Sequence, residues 1–73
     1  MQDEIRIIKA LFPKAKTQLR NPQTLLVSSG GFHSPAYLNT MMQSIKDALP
    51  NSDVYIGQGG SVEGLIVVRS LNE

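Results

Sequence analysis

The one histidine of the chain, His33, stands beside Ser34 at the end of the stretch Ser28-Ser29-Gly30-Gly31-Phe32-His33-Ser34-Pro35. A serine next to a base suggests nucleophilic catalysis, but that chemistry also needs an acid to orient the base and donors to hold an oxyanion. Neither Asp47 nor Asp53 stands in an order or spacing that nominates it as the third member. A 73-residue chain with two helices on one sheet also leaves little room for a substrate cleft of several hundred cubic ångströms. The paired glycines point to other chemistry. A strand that turns through Gly30 and Gly31 into a helix N-terminus capped by Ser34 exposes backbone donors to an anion, which makes these three the candidate anion-binding residues. The lysine and spacing of a phosphate loop are missing, and the same residues also serve as a chain reversal and a helix cap.

Metal and cofactor chemistry have less support. The chain has no cysteine, one histidine and six scattered carboxylates, with neither zinc nor calcium spacing, so no metal and no cofactor is expected. Asp3-Glu4 reads as first-turn helix charge and not as an acid/base pair. The chain is expected not to be an enzyme.

Charge is the next signal. Residues 1 to 20 carry Arg6, Lys9, Lys14, Lys16 and Arg20 against Asp3 and Glu4, a net +3. The remainder, with Lys46 and Arg69 against Asp47, Asp53, Glu63 and Glu73, is −2. Five cations on one edge would suit nucleic acid or an acidic protein surface. Aromatic interleaving is sparse, since only Tyr55 is placed to stack on an open sheet face.

The elements that must position these residues follow from the periodicity. Ile5, Ile7, Ile8, Leu11 and Phe12 fall within an arc of roughly 160° on a helical wheel, and Pro13 stops that helix. Tyr37, Leu38, Met41, Met42, Ile45, Ala48 and Leu49 fall within roughly 140°, with Ser34 as N-cap, Pro35 in the first turn and Pro50-Asn51 as the stop. The strands are expected over 17–20 and 24–28, joined by Asn21-Pro22-Gln23, and over 54–57 and 62–70, joined by Gln58-Gly59-Gly60-Ser61. Gly64 would mark a bulge in the last strand. The run Leu65-Ile66-Val67-Val68 suits a central strand or one whose outer face is covered.

The expected fold is α+β in the order αββαββ: a four-stranded, mainly antiparallel sheet with two helices packed on one face. That order is a circular permutation of the ferredoxin-like βαββαβ; a double-stranded-RNA-binding-like arrangement and a sheet completed by dimerisation are the alternatives. The whole chain, 1–73, reads as a single domain. Ile8-Lys9-Ala10-Leu11-Phe12-Pro13 is echoed by Ile45-Lys46-Asp47-Ala48-Leu49-Pro50, so 1–31 and 34–73 form a possible αββ pseudo-repeat.

By alternation Thr17, Leu19, Leu25, Val27, Val54 and Ile56 face the helices, while Gln18, Arg20, Leu26, Ser28 and Tyr55 line the other side with part of the run 65–68. Leu26 and Tyr55 with Arg20 at the rim have the make-up of an interaction surface. The expected function is therefore that of a small binding protein, a regulator or inhibitor of a macromolecular partner, in the first place a protein. Its candidate contacts are Arg6, Lys9, Lys14, Lys16, Arg20, Leu26 and Tyr55. A homodimer is the alternative occupant of the sheet face, since a chain this short buries only about 60% of its unfolded surface. Nucleic-acid binding through the basic half is the alternative function. The uncharged outer face of the second helix, with Asn39, Thr40, Gln43 and Ser44, is a further docking hint. The charged N-terminus and the lack of a long apolar run give a cytoplasmic, non-membrane expectation. In size and make-up the chain is similar to compact phage-encoded or mobile-element proteins that block a host enzyme or defence complex, such as anti-CRISPR proteins. That likeness is of scale and not of residues.

Overall fold

The computed structural model describes residues 2–29 and 34–71. Helix α1 spans Gln2–Leu11, strand β1 Lys16–Asn21, strand β2 Thr24–Ser28, helix α2 Pro35–Ala48, strand β3 Ser52–Ile56 and strand β4 Ile66–Ser70, with a short 3-10 turn at Gly60–Val62. The strands form one antiparallel sheet in the order β1-β2-β4-β3. This is the αββαββ α+β arrangement, and the strand order is that of a ferredoxin-like sheet whose first strand has moved to the C-terminal end.

Local chemistry sets the element ends. Ser34 caps α2, its Oγ accepting from the Tyr37 backbone N–H at 3.2 Å, and Pro35 occupies the first turn, where its missing donor costs nothing. Helix α1 places Asp3 and Glu4 in its first turn and ends two residues before Pro13. The side chain of Asn21 accepts from the Gln23 N–H at 2.9 Å and closes the β1–β2 turn across Pro22.

The core lies between the sheet and the two helices. Ile8, Leu25, Val27, Met41, Ile45, Ile66 and Val68 are fully buried, with Ile5, Phe12, Met42 and Ile56 packed around them. Each helix buries a narrower stripe than its apolar arc. Ile7, Leu11 and Tyr37 lie at the margins of those arcs and remain exposed. Ile7 borders a hollow with Ala48 and Leu49, whereas Leu11 borders one with Tyr37. The start of α1 therefore lies beside the end of α2, and the helices run antiparallel.

Ile8 and Ile45, 37 positions apart, occupy matching places, each fully buried three residues before the end of its helix. The facing pairs Thr17–Val27 and Val54–Val68 match as well, with first members again 37 apart. Their partners are 41 apart, and the four extra positions are absorbed by the longer β3–β4 connection. Strands β2 and β4 pair antiparallel at the middle of the sheet, with Leu26 opposite Val67.

That connection corrects an expectation. A strand was expected to begin at Val62, but β4 begins at Ile66, and Gly57 to Leu65 form a wide turn in which Gly59, Gly60 and Gly64 all have positive φ. Gly64 is a turn residue and not a bulge. The bulge lies in β1 instead, where Leu19 faces Leu25 and Asn21 faces Thr24, leaving Arg20 as the extra residue.

Candidate interaction surface

Alternation along the strands assigns the side of the sheet away from the helices. The register aligns Gln18, Leu26, Val67 and Tyr55 in one row across all four strands. Lys16 and Ser28 lie in the row on one side of it, continued by Leu65 and Gly57, which are joined by the Gly57 N–H to Leu65 carbonyl bond of 2.8 Å. Thr24, Arg69 and Asp53 form the row on the other side. Arg20 reaches this side too, bordering an open hollow with Thr24, Tyr55, Val62, Val67 and Arg69.

The centre of this surface is apolar and partly closed. Val67 is only 3% exposed although it faces away from the helices and lies outside their core, while Tyr55 is 44% exposed. The Gly60–Val62 turn explains part of this closure. A side chain added at Gly57 would meet the Val62 carbonyl oxygen and the Val62 Cβ and Cγ2, each carbon at 2.9 Å, so Val62 sits directly over the residue that follows β3, where glycine leaves room. Beside this ridge a second open hollow of about 420 Å³ is lined by Lys16, Gln18, Leu26, Ser28 and Leu65.

The structure divides the residues singled out from the sequence. Leu26, Tyr55, Lys16 and Arg20 come together on the sheet surface. Lys14 lines a separate hollow with Leu11, Phe12 and Tyr37. Arg6 and Lys9 are exposed on α1, in the helix layer, and Arg6 lies 3.9 Å from Asp3 in the only ion pair among the described residues. Gly30, Gly31 and His33 lie outside the described residues, and Ser34 serves α2 as its cap. Leu19 has the expected register opposite Leu25 but is 51% exposed, because it lies on the edge strand beyond the cover of the helices. Asp53, Arg69 and Val62 were not singled out from the sequence as parts of this surface. Arg69 was legible, being two residues from Val67, but Val62 was hidden by its reading as strand. Among the described residues no helix is long and apolar enough to cross a membrane. No family model, curated protein or solved structure matches this chain.

Proposed function

We propose that this chain is a small, non-enzymatic binding protein of the cytoplasm that docks the uncovered side of its sheet against another protein and so regulates or inhibits a macromolecular partner. The observation that carries this reading is the row Gln18-Leu26-Val67-Tyr55, an apolar centre flanked by Arg20 and Arg69. A half-exposed tyrosine, aliphatic side chains and arginines at the rim are the make-up of a protein interface. The test compares affinity capture from host lysate by the wild-type chain and by Leu26→Asp and Tyr55→Ala, each first shown to be folded by circular dichroism. A protein retained by the wild type and lost from both variants supports the reading; equal retention by all three refutes it.

A second reading, nucleic-acid binding, draws on Tyr55 sharing one hollow with Arg20 and Arg69, the combination of a stacking ring and phosphate-binding cations. Asp53 on the same surface and the lack of further aromatics weigh against it. Binding to a labelled single strand that weakens steeply with salt, with a slope lowered by Arg20→Ala, would favour it over the protein.

A further inference from the structure

We propose that the protein seated on the sheet surface is a second copy of this chain, related by a twofold axis that lies between the two sheets and runs along the strands. This rests on the reading of that surface as a protein interface and names its occupant.

The charges of the two edge strands favour a second copy and one axis, while Arg69, opposite Asp53 on β4, comes to lie over Thr24 of the other copy. Edge strand β1 contributes Lys16 and Arg20, whereas the opposite edge, β3, contributes Asp53 and no cation. An axis along the strands lays β1 of each copy over β3 of the other and keeps each row over its equivalent. Arg20 and Asp53 both flank the row of Thr24 and Arg69, so each Arg20 then meets the Asp53 of the other copy, twice by symmetry. Leu26 falls over Val67 at the centre. The alternative axis, across the strands, would lay β1 over β1 and stack Lys16 on Arg20, a like-charge contact. Shape favours the same choice. The Val62 ridge over Gly57 lies in the row of Lys16 and Ser28, and the first axis brings it to the hollow lined by Lys16, Gln18 and Leu26 of the other copy.

The area is sufficient. Four strands about 4.8 Å apart and five residues of about 3.3 Å each outline a surface of about 19 by 17 Å. Closing two such surfaces, with their side-chain relief, removes on the order of 1,000 Å², the size at which specific interfaces begin.

Within one chain β2 and β4 separate Arg20 from Asp53 by about 14 Å, so any rescue by exchanging their charges has to act between copies. Sedimentation equilibrium of the purified full chain between about 1 and 100 µM is the experiment. The wild type is expected to reach twice its 8.0 kDa chain mass. Arg20→Asp and Asp53→Arg alone are each expected to weaken the dimer on the order of 100-fold, and an equimolar mixture of the two variants to recover it as a heterodimer with both pairs matched. A wild type that stays monomeric overturns this inference and leaves the docking reading to its own capture test. A dimer that Leu26→Asp leaves intact joins the copies through another face, which overturns the inference and leaves the docking reading to its own capture test. A dimer that Leu26→Asp dissociates but the mixed variants fail to restore overturns the twofold arrangement alone.

Discussion

Replacing Gly57 with alanine tests the feature that shapes the candidate surface, the seating of Val62 on the sheet. The added methyl would overlap the Val62 carbonyl oxygen and lie 2.9 Å from its Cβ and Cγ2. Two of these three atoms are fixed by the backbone, so no side-chain rotation relieves the clash. The turn must lift instead, loosening the Gly57 N–H to Leu65 carbonyl bond of 2.8 Å. Overpacking of this kind costs about 1–3 kcal/mol. Alanine also lowers the entropy of the unfolded chain relative to glycine, which offsets about 0.4–1 kcal/mol. The net loss is on the order of 1–2 kcal/mol, and a domain of this size loses about 4–8 °C of Tm per kcal/mol, so the melting temperature should fall by roughly 5–15 °C. Urea and thermal unfolding followed by circular dichroism give both quantities. Val62→Ala in the same background removes only the Cγ2 contact and should recover part of the loss. Gly59→Ala is the control for backbone strain alone: φ is +76° and ψ 156° there, a region open essentially to glycine, and nothing lies within 4 Å, so its cost is about 1–3 kcal/mol from the backbone and is unaffected by Val62→Ala. A Gly57→Ala protein as stable as the wild type would refute the seating of Val62 and with it the ridge on the sheet surface.

Two further outcomes test the fold that carries the surface. Ile45→Ala removes a fully buried side chain from the last turn of α2 and should cost about 2–5 kcal/mol, enough to unfold much of so short a chain; a shift of the urea midpoint no larger than that of an exposed Gln43→Ala would contradict the packing. Ser34→Ala removes the acceptor for the Tyr37 N–H and should lower stability by about 1 kcal/mol, read as a fall of about 4–8 °C in Tm, whereas an unchanged melt would show that the cap contributes nothing.

Legibility in the sequence followed the range of the interactions involved. The element order, the cap at Ser34 and strand β2 over Thr24–Ser28 rest on side chains within a few residues of one another, and these were readable. The alternation that sends Leu26 and Tyr55 to one side and Leu25, Val27 and Val54 to the other was readable for the same reason. The β3–β4 connection was not, because Val62 is β-branched and borders an aliphatic run, and only its contact with Gly57 shows that it belongs to a turn. The exposure of Ile7, Leu11 and Tyr37 was likewise hidden, since a helical wheel gives the width of an apolar arc but not how much of it a neighbour covers.

The sequence by itself determined which residues form helices, which form strands and which side of each strand is apolar, because periodicity and capping act along the chain. The tertiary structure decided which of those apolar and charged residues share a surface. Strand order set the cations of β1 at the opposite edge from Asp53, and the Gly57–Leu65 turn laid Val62 beside Tyr55 and Val67. The physical reason is that strand pairing and loop packing join residues far apart in sequence, where no local pattern records the contact.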